Sequence, residues 1–203
     1  MAGTSRCIPR IVRTNFRSHR YGAIGKRTAR LANAYEMRVI AAGRTAETLN
    51  HAQAYDVEYG FGKEAMDWVL RESDFVLVST PLIDSTQNLI GERELGLMRP
   101  NAYLINPARG HIVNEKALFD ALTSKSIAGA AIDTWYEYPI NSDDSPRPSK
   151  YPFWELENII MTPHHSGATI GTLNRRAETV ASNIDRLSRG EPLINVIPDF
   201  KTG

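Results

Sequence analysis

Residues 103–118 read YLINPARGHIVNEKAL, and this stretch decides the fold. An apolar run at 103–105 stops at Asn106-Pro107-Ala108-Arg109-Gly110, and a helical pattern opens behind Asn114, a residue type that caps helices. The pattern predicts a buried strand, a loop and a helix, with one arginine held where the strand gives way to the loop. Open α/β sheets bind their ligands at that position. Arg109 can offer a carboxylate a planar fork of donors, and it stays charged at any working pH. The alternative is an ordinary surface arginine.

The same alternation extends in both directions. Upstream, Ile24, Thr28, Leu31, Ala32 and Tyr35 mark one face of a helix, and residues 37–42 (MRVIAA) suit a buried strand. Residues 43–62 read as a loop with one short strand, closed by Gly60 and Gly62; residues 64–70 make a short helix. Residues 75–79 (FVLVS) are uncharged, β-branched and ended by Pro81, as a central parallel strand would be. Residues 90–98 form a further helix ended by Pro100. Downstream, GAAI at 129–132 leads to Asp133, and NIIM at 158–161 leads to Pro163-His164-His165. Between them, residues 139–152 carry four prolines and no periodicity, which predicts a long surface loop of the kind that is often functional. Ile170, Leu173, Ala177, Val180, Ala181, Ile184 and Leu187 line a long amphipathic helix stopped by Gly190, and the tail PLINVIPDF is too apolar to be left in solvent. Strands alternating with helices predict a doubly wound parallel α/β sheet of Rossmann type.

Composition sets limits on this reading. The 203 residues suit one full domain plus a remainder, so a two-domain protein would be incomplete. A net charge of +1, with 42% hydrophobic and 23% charged residues, gives no overall pull toward nucleic acid or a membrane surface. No apolar run approaches the ~20 residues of a membrane span. Cys7 is the only cysteine, which excludes a disulfide framework and permits a reducing, cytoplasmic setting. Residues 1–35 contain no Asp or Glu but eight basic residues, from Arg6 to Arg30. A transit peptide, a nucleic-acid-binding arm and a foreign sequence joined at a junction would all look like this; the third is preferred.

Three clusters carry candidate chemistry. In Arg20-Tyr21-Gly22-Ala23-Ile24-Gly25, Gly22 and Gly25 fit the second and third glycines of a GxGxxG dinucleotide turn, with Ala23 and Ile24 between them. Arg20 stands where the first glycine belongs, and residues 14–19 match the preceding buried strand poorly. At the end of the next strand, Gly43 leaves room and Arg44 can meet a 2′-phosphate where NAD enzymes carry a carboxylate, which favours NADP over NAD; the alternative is a basic turn with no ligand. The third is Pro163-His164-His165-Ser166-Gly167, again just beyond a strand. A histidine there can pass a proton to a hydroxyl oxygen. The adjacent histidines do not read as a metal site, because neighbouring side chains on extended chain point apart, and no metal is expected. Arg109, Asp133 and His164 all fall at carboxyl ends of strands in one sheet.

From about residue 22 to 197 the chain resembles the cofactor-binding domain of the D-isomer-specific 2-hydroxyacid dehydrogenases. The matching segments are GAIGKRTARLA, STPL, LINPARGHIVNEKAL, GAAIDTW and MTPHHSGAT, in the family's order and spacing. The resemblance implies an NAD(P)-dependent oxidoreductase acting on a small 2-hydroxy or 2-oxo acid, with Arg109 binding the substrate carboxylate and His164 exchanging a proton with the 2-hydroxyl. It implies that Thr80, Pro81, Pro107, Ala108, Asp133, Ser166 and Gly167 line the cofactor together with the glycine-turn residues, and that the chain forms a homodimer.

The chain departs from the family at three points. Where the family usually places a glutamate against the histidine, this chain has Tyr138, which implies altered substrate preference or a histidine of lower pKa; Glu137 is adjacent but would point elsewhere. The second departure is Arg20 and its missing strand. The third is the substrate domain, for which the chain has little room. The expected division is an atypical basic segment at 1–20, a dinucleotide-binding domain at 21–168, and a C-terminal helix and tail at 169–203 whose apolar surface is exposed or used in association. A non-catalytic dinucleotide-binding or co-regulator-like module, and an inactive fragment, are the rival readings.

Overall fold

Seven parallel strands form the sheet in the computed structural model, which describes residues 10–15, 23–43, 56–141 and 145–196. They are β1 (Arg10–Asn15), β2 (Arg38–Gly43), β3 (Val57–Phe61), β4 (Phe75–Val78), β5 (Tyr103–Asn106), β6 (Gly129–Ile132) and β7 (Ile159–Met161). Their order is β3-β2-β1-β4-β5-β6-β7. From β1, mid-sheet, the strands wind outward to β3, cross back to the far side of β1 and wind outward to β7. This is the doubly wound Rossmann-type topology, and the reversal between β1 and β4 opens a crevice at the carboxyl ends of the strands.

Helices α1 (Ala23–Ala34), α2 (Gly62–Glu72), α3 (Glu92–Leu97) and α4 (Glu115–Thr123) accompany the sheet. Val76, Val78, Leu104, Ala130 and Ile132 turn one face of the strands into the main core, against Val69 and Leu70 of α2 and Leu118 and Leu122 of α4. Burial of each such leucine contributes about 1.5–3 kcal/mol. Arg93 of α3 pairs with Asp67 of α2 and holds its carboxyl below the usual aspartate range. The predicted cap holds: Asn114 Oδ1 accepts the Ala117 N–H at 3.0 Å. On the other face α1 covers β2, with Ala29, Ala32, Val39, Ala41 and Val57 forming a second, smaller cluster. On that same side β4 to β7 present Phe75, Tyr103, Ile105, Ala131 and Ile160 to an apolar groove of about 530 Å³.

The fold corrects two local readings. A strand does lead into α1: it is β1, in residues 10–15, which pairs in parallel with both β2 and β4. Only Ile11 and Val12 in that stretch are strongly apolar, so an apolar-run criterion passes over it. The buried face of α1 is also rotated from the predicted one. Ile24, Leu31 and Tyr35 are exposed, while Ala29 and Ala32 are buried. Small side chains let the helix lie close on β2, and the larger ones turn outward.

The chain divides into two compact units, residues 1–164 and 165–203. In the second unit α5 (Ile170–Ser188) is capped by Thr169, whose side chain accepts the Thr172 N–H at 3.1 Å. It ends at Arg189 and Gly190, as the sequence predicts. Its apolar residues Ile170, Leu173, Val180, Ile184 and Leu187 are exposed. Among the tail's described residues, Leu193, Ile194 and Val196 are exposed. Hydrogen bonds hold it, with Ile194 N–H donating to Asn183 Oδ1 at 2.9 Å and Arg186 Nε donating to the Pro192 carbonyl at 2.7 Å.

Candidate functional site

The crevice at the strand reversal is a cleft of about 340 Å³ lined by Ile24, Val78, Ser79, Thr80, Pro81, Leu82, Pro107, Ala108 and Arg109. Six residues predicted from separate segments therefore meet: Ile24 from the glycine turn, Thr80 and Pro81 after β4, and Pro107, Ala108 and Arg109 after β5. Apart from the Ser79 and Thr80 hydroxyls and Arg109, the lining side chains are aliphatic, a composition usual for cofactor clefts.

Asn106 shapes the loop that carries Arg109. Its side chain is almost wholly buried, accepts the Ala108 N–H at 3.1 Å and donates to the Arg109 carbonyl at 2.9 Å. Both bonds are local, so the turn is fixed from within, as asparagine side chains commonly do. Arg109 itself is extended and exposed, and its guanidinium donates to the Ala108 carbonyl at 2.6 Å. The loop after β4 is tied similarly: Thr86 Oγ1 donates to the Pro81 carbonyl at 2.7 Å and accepts the Ile83 N–H at 2.8 Å.

A second group stands at the ends of β6 and β7. Asp133 is buried and accepts from Thr162 Oγ1 at 2.6 Å. Thr162 also accepts the Trp135 indole N–H on its carbonyl at 2.9 Å. Thr162 thus couples the end of β6 to the end of β7, two residues before His164. Tyr138 receives the Trp135 backbone N–H on its hydroxyl at 2.9 Å, and that hydroxyl lies 3.2 Å from His164 Nδ1. His164 has φ of 59°, the left-handed region. Histidine enters this region more readily than most residues, yet such conformations still cost about 1–3 kcal/mol and cluster at functional sites.

The two groups are joined at Gly110. A Cβ there would lie 2.3 Å from the Trp135 carbonyl oxygen, so only glycine lets the arginine loop meet the segment that bears Tyr138. That segment is backed by aromatic packing. Phe153 is fully buried and contacts Phe119, Trp135 and Tyr136. The long 139–152 loop is clamped where its far end returns: the Pro148 carbonyl accepts the N–H of Tyr136 and of Glu137, each at 3.1 Å.

Gly22 and Arg44 lie outside the described residues, as do Arg20 and Tyr21. Ala23 and Gly25 lie in the first turn of α1. The room expected beside Gly43 is filled: a Cβ there would lie 1.7 Å from the Tyr59 hydroxyl oxygen. Ser166 and Gly167 belong to the second unit, with Ala168 N–H turning back to the His165 carbonyl at 3.0 Å. The sequence carries no signal for the roles of Trp135 and Tyr59, and for Asn106 and Thr162 only their positions next to the loops after β5 and β7. Among the described residues no three His, Cys, Asp or Glu side chains converge as a metal site, and no helix is long and apolar enough to cross a membrane.

Comparison with known proteins bears on this arrangement. Residues 20–166 match the family model described as the D-isomer specific 2-hydroxyacid dehydrogenase, NAD binding domain. A glyoxylate reductase of Pyrococcus furiosus is 37% identical over 171 residues, which cover 84% of this chain and 47% of that one. The D-lactate dehydrogenase of Lactobacillus jensenii, solved with NAD+, superposes with a TM-score of 0.78 at 27% identity, covering 94% of this chain and 56% of that one. A D-isomer specific 2-hydroxyacid dehydrogenase of Xanthobacter autotrophicus, solved with NADPH, gives a TM-score of 0.72 at 28% identity, covering 93% of this chain and 70% of that one. The chain spans about half the length of the curated relatives it matches.

Proposed function

Since the chain belongs to the D-isomer-specific 2-hydroxyacid dehydrogenase family, we propose that it serves hydride transfer between a nicotinamide dinucleotide and a small 2-hydroxy or 2-oxo acid. The observation that carries this is the cleft at the strand reversal, where Ile24, Thr80, Pro81, Pro107, Ala108 and Arg109 meet. Its aliphatic walls suit a planar nicotinamide, and Thr80 supplies a hydroxyl beside them. The start of α1 suits the pyrophosphate, because a helix N-terminus favours an anion. Asp133, at the end of β6, joins the cofactor set. NADP is the preferred dinucleotide, supported by the absence of a carboxylate at Gly43 and Arg44.

When bound, the nicotinamide supplies or accepts the hydride. Arg109 pairs its guanidinium with the acid's carboxylate, which orients C2 and excludes substrates lacking that group. His164 offers Nε2 to the substrate oxygen, since Nδ1 faces Tyr138. In the reducing direction C2 gains the hydride and its oxygen gains the proton from Nε2; in the oxidising direction both leave by the same route. Tyr138 orients the imidazole without adding a charge.

A homodimer in the cytoplasm is part of the same proposal. The apolar face of β4 to β7 supports association, and the single cysteine suits a reducing compartment. A second reading, a dinucleotide-binding interaction module without turnover, is favoured by the exposure of both Tyr138 and His164. Fluorescence titration with NADPH and NADH tests the primary reading: NADPH is expected to bind more tightly, and tighter NADH binding overturns the NADP assignment.

A further inference from the structure

Tyr59 stands on β3 beside Ala41 of β2 in the parallel register, and its ring packs on the small alanine and valine cluster under α1. The ring leans along the strand, so its hydroxyl arrives at Gly43, the last residue of β2. A Cβ on Gly43 would lie 1.7 Å from that hydroxyl oxygen and 2.8 Å from the ring carbon bearing it. Any side chain at position 43 would displace the phenol. Val39, Ala41 and Gly43 alternate onto the same face of β2, so the phenol tip lies on the α1 side of the strand's carboxyl end. In doubly wound folds the residue ending the second strand stands against the adenosine ribose of the dinucleotide. Gly43 has no side chain for that task, and among the described residues the Tyr59 hydroxyl is a polar atom standing beside it.

We propose that Tyr59 reads the 2′ position of the adenosine ribose, donating its O–H to a 2′-phosphate, and that Gly43 is glycine to admit the phenol. This rests on the dinucleotide reading of the cleft. A neutral phenol has a donor for the phosphate and lacks the charge with which a carboxylate would repel it. Because the ring's packing and the hydroxyl's bond are separable, Tyr59→Phe removes the second and keeps the first.

The test is calorimetric titration of the whole chain with adenosine 2′,5′-bisphosphate, adenosine 5′-monophosphate, NADPH and NADH. The unmodified chain is expected to bind each 2′-phosphorylated ligand more tightly than its counterpart. Tyr59→Phe should weaken the two 2′-phosphorylated ligands about tenfold and change the other two by no more than about twofold. Gly43→Ala should show the same selective loss, and should add none in a Tyr59→Ala background. Unchanged affinities in Tyr59→Phe, or equal losses with and without the 2′-phosphate, overturn the role of Tyr59 alone. Failure of the unmodified chain to bind either dinucleotide overturns the cofactor reading, and this inference with it.

Discussion

Tyr138 Oη lies 3.2 Å from His164 Nδ1 and accepts the Trp135 backbone N–H at 2.9 Å. One hydroxyl therefore joins the segment after β6 to the histidine after β7. Where the family resemblance implies a carboxylate, this chain places a neutral group that can donate or accept. Tyr138→Phe keeps the ring and removes both bonds. We expect a loss of about 1 kcal/mol, a fall in melting temperature of roughly 2–4 °C for a chain of this size. Differential scanning calorimetry showing an unchanged transition would mean the hydroxyl holds nothing.

Asn106 makes the steeper stability prediction. Its side chain satisfies the Ala108 N–H and the Arg109 carbonyl from a buried position. Asn106→Ala leaves both without that partner and should destabilise by about 2–4 kcal/mol. Asn106→Asp keeps an acceptor for Ala108 but no donor for Arg109, so it should fall between the two. Urea denaturation measures all three, and equal midpoints for Asn106→Ala and the unmodified chain contradict the assignment.

Tyr136 governs the alkaline limb of stability. Burial pushes its phenol well above the ordinary value of 10.0, with Glu115 adding to the shift. The folded chain then keeps a proton that the unfolded chain releases, so stability that is intact below pH 10 declines as the pH rises past it. Tyr136→Phe should reduce that alkaline decline. At neutral pH it should cost about 1 kcal/mol, through the lost bond to the Val113 carbonyl at 3.1 Å. Guanidinium denaturation from neutral to strongly alkaline pH separates the two effects; an identical alkaline decline in the variant would exclude Tyr136 as its source.

We propose Arg109 as the carboxylate anchor and His164 as the acid/base, and both roles can be tested by substitution. In any form of the protein that turns over a 2-oxo acid, Arg109→Lys loses the bidentate fork and His164→Ala loses the proton donor. Each should lower kcat/KM by about a hundredfold or more. Retention of full catalytic efficiency by either variant would remove that residue from the site.

The elements that were legible in the sequence share a physical cause. β4, β5 and β6 are short, uncharged runs flanked by loop residues, because a central parallel strand is buried on the face it gives the core, and β7 at the edge is legible from its apolar run alone. Arg109, Asp133 and His164 could be aligned at strand ends for the same reason, and Asn114 announced α4 because its capping bond is local. Other features depended on partners distant in the chain. β1 is held by backbone pairing on both sides while its sequence mixes Ile11 and Val12 with arginines. The buried face of α1 is set by how closely Ala29 and Ala32 approach β2, which side-chain size alone misjudges. Gly43 and Gly110 are visible as glycines, but only the folded chain shows that Tyr59 and Trp135 are what they admit.

The central claim is that the crevice at the strand reversal is the dinucleotide site. Its most direct measurement is two-dimensional amide NMR of the isotopically labelled chain during titration with NADPH. The account predicts saturable shifts concentrated on the amides of Ile24, Thr80, Leu82, Ala108 and Arg109, which line the cleft. Shifts confined instead to the separate groove formed by Asn88, Gly91, Asn114 and Lys116, or no saturable shift at all, would contradict it.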